Sequence, residues 1–140
     1  GATWSERSPS HATVLWRPEE QPQMLQSGHA ICLQFHAGFV QTYEEKLVAA
    51  APQPSGAVVF VVQRLLVDGK IAEAGTPLEV DCRVQLRLGS ANGACLQVWP
   101  DRTVGTATQC GAPGSTFLMQ SDGAAVGSPA WANPRVTSFG

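Results

Sequence analysis

The sequence predicts an all-β protein built from antiparallel strands. From Val80 to Leu88, apolar and polar residues alternate, which is the period of a strand with one buried and one solvated face. Asn92-Gly93 follows, and this dipeptide tolerates the positive φ angles of a tight hairpin turn. The composition agrees, because only 14% of residues are charged and the chain has 14 glycines and 10 prolines, as loop-rich β proteins do.

The same apolar pattern occurs twice along the chain. Four apolar positions of the first copy have an apolar match 53 residues later: Leu25, Ile31, Leu33 and Phe35 match Leu78, Val84, Leu86 and Leu88. Further on, FVVQ at 60–63 matches FLMQ at 117–120, now 57 residues later. Such self-similarity is typical of repeat architectures. We therefore expect complete copies at about 24–63 and 77–120, with a core of Ile31, Leu33, Phe60, Val84, Leu86 and Phe117.

Each copy holds about four short strands. Between the first and closing strands, further strands are expected at 38–40 and 47–49 in one copy and at 94–96 and 104–107 in the other. One copy cannot bury its apolar face alone, so the copies must pack against one another. Three copies of four strands make a β-trefoil, which is a closed antiparallel barrel capped by hairpins.

The third copy has to come from the two ends of the chain, or to lie outside it. Residues 10–17 and 121–140 remain, and ATVLW at 12–16 has the β-branched, apolar pattern of a closing strand. A closed ring allows a copy that is short or split across the termini. We thus expect a single domain over 1–140. The chain begins with Gly1 and not Met, as a processed or tagged chain or a fragment of a larger protein would.

The four cysteines leave the redox state open. Cys32, Cys82, Cys95 and Cys110 form no Cys-x-x-Cys pair, and no histidine completes a zinc spacing. An even count permits two disulfides in an oxidising compartment, whereas Cys82 falls on the apolar phase of its strand, as a small core residue would. No Asn-x-Ser/Thr glycosylation acceptor occurs, which favours an intracellular location, cytoplasmic or in a cytoskeletal assembly, over a secreted one.

The hairpins resemble those of MIR-type β-trefoils, also found in the N-terminal region of inositol-trisphosphate receptors. Their repeat runs from Pro-Leu through an alternating strand and an Asn-Gly hairpin to a closing Phe strand. TPLEVDCRVQLRLGSANGACLQV (76–98) and MLQSGHAICLQFHAGFVQT (24–42) are similar, closing on STFLMQ and VVFVVQ. Cys95 stands where an aromatic residue is usual. The resemblance covers about 24–120 and implies a fold more than an activity.

A second resemblance is to ricin-type lectin repeats. GACLQV (93–98) followed by TVGTATQC (103–110) is similar to their Gly-x-Cys-Leu-Asp-Val and Cys pattern. This resemblance implies a disulfide between Cys95 and Cys110 and a carbohydrate ligand. The sugar-binding Asp of that pattern is Gln97 here, and Phe117 stands at the Trp of the closing Gln-x-Trp.

No pattern of catalytic or cofactor-binding residues emerges. No serine lies in a Gly-x-Ser-x-Gly elbow, and CGAPGS at 110–115 lacks the Lys-Ser/Thr of a phosphate-binding loop. We expect no enzyme, no cofactor and no bound metal. The net charge is −2 without a basic run, which argues against nucleic acid as a partner. No apolar stretch is long enough for a transmembrane helix.

The predicted function is a non-enzymatic protein-interaction or scaffolding module within a larger protein or assembly. The alternatives are a ricin-type carbohydrate-binding domain and a small secreted disulfide-bonded protein such as an inhibitor. Tyr, Trp and Arg dominate protein interface energies, and hairpin tips carry such residues. The candidate binding residues are Trp99 and Arg102 first, then Tyr43 and Phe39.

Overall fold

A computed structural model describes residues 13–16, 25–35, 38–43, 46–51, 57–89, 94–99, 104–108, 110–111, 114–121, 125–128 and 134–138. The described residues hold strands and turns but no helix, and therefore none that could cross a membrane. The strands are β1 (Thr13–Trp16), β2 (Ala30–Phe35), β3 (Gly38–Tyr43), β4 (Lys46–Ala51), β5 (Phe60–Arg64), β6 (Arg83–Leu88), β7 (Cys95–Val98), β8 (Val104–Ala107), β9 (Phe117–Gln120) and β10 (Arg135–Ser138). The all-β prediction is confirmed.

All strand pairs are antiparallel, as predicted. Six strands pair in the order β1, β2, β5, β6, β9 and β10, and β10 also pairs with β1. Hairpin β3–β4 extends from β2, and hairpin β7–β8 extends from β6. The outer strands of the two hairpins, β4 and β8, contact each other without pairing.

The alternation in sequence becomes an alternation in burial. In β5, Phe60 and Val62 are fully buried whereas Val61 and Gln63 are partly exposed, and β9 repeats this order. The fully buried residues of β2, β5, β6 and β9 form one core with Val136 of β10. All six expected core residues are completely buried: Ile31, Leu33, Phe60, Val84, Leu86 and Phe117.

Two segments of the chain make the same backbone contacts. Ile31 lies opposite Phe60, and Val84 lies opposite Phe117. The amide of Gly28 donates to the carbonyl of Val62 at 2.7 Å, and the amide of Asp81 donates to the carbonyl of Met119 at 2.7 Å. The two donors are 53 residues apart and the two acceptors are 57 apart, which are the separations found in the sequence.

The matched donors also share an unusual backbone conformation. Gly28 has a φ of 97° and Asp81 a φ of 70°, the latter being the one positive value outside glycine among the described residues. Aspartate is one of the few side chains that tolerate this left-handed region. The Asp81 carboxylate accepts a hydrogen bond from the Gln120 amide at 2.7 Å, which helps hold the turn against β9.

Candidate functional site

Trp99 follows β7 directly and is 44% exposed. Its indole nitrogen lies close to Gly105. If position 105 carried a β-carbon, that atom would be 2.9 Å from the indole nitrogen. Gln97 is the direct partner of Gly105, so Trp99 is the diagonal neighbour of Gly105 across hairpin β7–β8. Because Gly105 has no β-carbon, the indole can lie against β8, while nearly half of Trp99 remains exposed to solvent.

The other predicted contact residues are only partly covered by the structure. Phe39 and Tyr43 belong to β3, where their backbones lie opposite Ala51 and Lys46 of β4. The side chains of Phe39 and Tyr43 lie outside the described part, and so does all of Arg102. The structure places Phe39 and Trp99 on different hairpins, whose outer strands β4 and β8 contact each other.

A disulfide joins Cys95 in β7 to Cys110 in the turn after β8, with 5.3 Å between the α-carbons. It is the pair that the likeness to ricin-type repeats implies. Cys95 is fully buried beneath this turn. Cys32 is buried and Cys82 half-buried, and neither takes part in the disulfide. Burial raises the pKa of the Cys82 thiol above its ordinary value, which keeps it protonated and poorly reactive at neutral pH.

Gln97 occupies the position of the sugar-binding Asp in the ricin-type pattern, and it is buried. Only 6% of Gln97 is exposed, between the equally buried Leu96 and Val98. Gln97 therefore offers little exposed surface to a ligand.

The loop after the disulfide packs tightly against the end of β7. Gly114 has a φ of 86°, its carbonyl accepts a hydrogen bond from the Val98 amide at 2.9 Å, and a β-carbon on Gly114 would overlap the Val98 carbonyl oxygen. Gly111 has a similar φ of 97° in the same loop, but a β-carbon there would meet nothing within 4 Å. Replacing Gly111 therefore tests backbone strain alone, whereas replacing Gly114 tests backbone strain together with steric overlap.

Gly114→Ala should lower the free energy of unfolding by about 2 kcal/mol or more, because it adds overlap to the cost of a left-handed alanine. Gly111→Ala is the matched control and should cost only about 1 kcal/mol, since the strain acts alone. Urea denaturation of both variants measures the difference. Equal costs for the two variants would show that the loop does not pack on Val98 as described.

A feature that the sequence analysis missed is the apolar turn between β5 and β6. Leu66 is 44% exposed and Val67 is completely exposed. This turn forms one side of an open cleft of about 230 Å³, lined among others by Leu66, Val67, Arg83, Gln85, Cys110 and Thr116. The sequence contains a pattern that could have indicated this turn, because LLVDG at 65–69 places apolar residues directly before an Asp-Gly turn.

Comparisons of the chain with protein-family models, with curated proteins and with solved structures give no match. Within the described ranges, no three side chains of the His, Cys, Asp or Glu type come together in a way that could hold a metal ion. Two surface features have been described: the half-exposed indole of Trp99, which lies against hairpin β7–β8, and the apolar turn between β5 and β6 beside the cleft. Both are features of binding surfaces.

Proposed function

We propose that this chain is a β-trefoil-like, non-enzymatic module that binds other proteins, within a larger protein or assembly. The fold proposal is supported by the cyclic order of pairing, in which β10 pairs with both β9 and β1. It is also supported by the equal register of Ile31 with Phe60 and of Val84 with Phe117. In this proposal, the copies at 24–63 and 77–120 each give two barrel strands and one hairpin.

The third copy is then split across the termini, with β1 and β10 as its barrel strands. Both lie in the segments left over by the complete copies, 10–17 and 121–140. Val136 of β10 is fully buried opposite Met119, as a barrel strand requires. The likeness to MIR-type repeats favours the same fold.

The observation that carries the proposed function is the position of Trp99. The Trp99 side chain is 44% exposed, and its indole nitrogen contacts Gly105. It is therefore preorganised for contact with a partner. Such an anchor loses little conformational entropy on binding. Tryptophan is also among the residue types most enriched at the energetic centres of protein interfaces.

Trp99→Ala should weaken the binding of a protein partner by about 30-fold, the effect of losing an interface anchor. The loss of its half-buried surface should cost about 1–2 kcal/mol of folding stability, which leaves the domain folded. Proteins retained from lysate by the wild type are first identified, and their affinities are then measured with purified components. Val126→Ala is the control, because Val126 is 74% exposed in a different turn.

Gly105→Ala is a second variant, since its added β-carbon pushes the indole away without removing it. It should also weaken binding. If both variants bind a purified partner as tightly as the wild type, Trp99 is not the anchor.

A carbohydrate-binding module is the second candidate, favoured by the Cys95–Cys110 disulfide and opposed by the buried Gln97. Specific, saturable binding of the wild type on a glycan array would favour this second candidate over the first.

A further inference from the structure

The two cysteines of the disulfide lie in different surroundings. Cys95 in β7 is completely buried, whereas Cys110 is partly exposed in the turn after β8. Thiol–disulfide exchange requires an external thiolate to reach one of the two sulfur atoms. In the folded protein the Cys95 side of the bond is closed to solvent, so a reagent in solution has to approach from the Cys110 side.

Cys110 also lines the open cleft beside the turn between β5 and β6. The cleft has a volume of about 230 Å³, and Leu66, Val67 and Gly111 are among its other lining residues. This volume is below the range of pockets that enclose a whole small molecule, but it has room for a cysteine side chain. The cleft therefore gives the thiol of a short peptide a route to the disulfide.

The backbone around the disulfide is held by hydrogen bonds that do not involve sulfur. Strand β7 is paired with β8 along its whole length. The Val98 amide donates to the Gly114 carbonyl at 2.9 Å, and the Gly111 amide donates to the Ser115 hydroxyl at 3.0 Å. Ser115 is completely buried. Because these contacts remain when the S–S bond breaks, we expect opening of the disulfide to be a local event.

The other two cysteines are poor competitors for this exchange. Cys32 is buried, and burial raises the pKa of the Cys82 thiol above its ordinary value. The thiolate is the attacking species in disulfide exchange, so neither residue is suited to rearrange the disulfide at neutral pH. The reagent that opens the bond therefore has to come from outside the chain.

We propose that Cys110 is a site of reversible modification by small thiols of the glutathione class, which open the Cys95–Cys110 disulfide in the folded protein. The external thiolate attacks the Cys110 sulfur and forms a mixed disulfide. The bond to Cys95 breaks, and Cys95 leaves with the electron pair and takes up a proton. This modification does not depend on the proposed protein-binding function.

A second external thiol completes the reduction. Its thiolate attacks the mixed disulfide at the glutathione sulfur, and Cys110 leaves with the electron pair and takes up a proton. Two external thiols have then become one external disulfide, and the protein disulfide has become two thiols. The reverse sequence, started by an external disulfide, closes the bond again.

The test maps the glutathione adduct on the folded, non-reduced full chain. The protein is incubated with reduced glutathione, quenched with acid, alkylated with N-ethylmaleimide in urea and digested with trypsin without reductant. Trypsin places Cys95 on peptide 88–102 and Cys110 on peptide 103–135. By mass spectrometry, we expect glutathione on peptide 103–135 and N-ethylmaleimide on peptide 88–102.

A matched pair of variants measures the access to each sulfur separately. Cys95→Ala leaves the Cys110 thiol, and Cys110→Ala leaves the Cys95 thiol. With glutathione disulfide as the reagent, Cys110 should react about a hundredfold or more faster than Cys95, because a buried thiol reacts only when the structure opens. Circular dichroism checks that both variants are folded, and if one is not, the adduct map of the wild type decides.

The urea dependence of the wild-type reaction separates attack on the folded protein from attack after unfolding. Attack on the folded protein should keep its rate at urea concentrations below the unfolding transition, whereas a reaction that needs global unfolding accelerates with urea. Hydrogen exchange in the glutathione adduct should be faster in β7 than in the unmodified protein and unchanged in β6.

Three outcomes would overturn the inference. The first is a glutathione adduct on the Cys95 peptide or on neither peptide. The second is equal reactivity of the two folded variants, and the third is a wild-type rate that rises with urea from the lowest concentrations. The disulfide would then be structural only, and the proposed protein-binding function, which rests on Trp99, would be unaffected.

Discussion

Replacing Phe60 by alanine is expected to lower the free energy of unfolding by about 3–5 kcal/mol, which is a large part of the stability of an ordinary domain. Phe60 is completely buried in the main core and begins β5, opposite Ile31 of β2. Truncation removes its apolar surface and leaves a cavity in a region where several strands meet. The surrounding strands are hydrogen-bonded and cannot collapse into that space.

Phe117→Ala should cost about the same, because Phe117 is equally buried and lies opposite Val84 as Phe60 lies opposite Ile31. Val61→Ala is the matched control, since Val61 follows Phe60 in β5 but is only partly buried. It should cost about 1 kcal/mol or less. Chemical denaturation gives all three values. A cost below about 1 kcal/mol for either phenylalanine would contradict the described core.

Removing the disulfide is expected to cost about 3 kcal/mol, the value for a closed loop of this length. Cys95 and Cys110 are separated by 15 positions in sequence, and the bond fixes the turn after β8 onto β7. The Cys95→Ala, Cys110→Ala double variant and the wild type under reductant should unfold at the same urea concentration. Cys82→Ala is the control, since Cys82 is half-buried and unpaired.

A thiol count tests the same bond independently. Two thiols, those of Cys32 and Cys82, should titrate in the denatured, non-reduced protein. Four thiols, or a wild-type unfolding midpoint that does not respond to reductant, would contradict the disulfide.

The sequence predicted the strands that carry a clear alternation. The apolar phase of β6 gave Val84 and Leu86 as core residues, and both are fully buried, because period-two patterning reflects burial directly. Bounds were less accurate, since β3 extends to Tyr43 and β4 runs from Lys46 to Ala51, beyond the short apolar runs. Pairing with a neighbouring strand decides such ends, and one strand's sequence does not contain that information.

The candidate site was predictable only where local pattern decides it. Trp99 was named as a binding residue near a hairpin tip, and it is half-exposed. Its contact with Gly105 depends on the diagonal register of β7 and β8, which the sequence does not specify. The residues did not identify the partner of Cys95 either, because disulfide pairing is set by tertiary proximity. The cleft is lined by residues from three separate segments, 65–69, 83–85 and 110–116, so no single stretch of sequence could predict it.

The cyclic arrangement of strands is the central claim, because the trefoil proposal and the split third copy both depend on it. The contact that decides it joins β1 to β10, where Thr13 lies opposite Arg135. Nuclear Overhauser effects between backbone protons of the isotope-labelled chain measure this contact directly. We predict cross-strand effects between Thr13 and Arg135, alongside those between Ile31 and Phe60 and between Val84 and Phe117. Effects at the latter two pairs without any between β1 and β10 would mean an open sheet and would contradict the account.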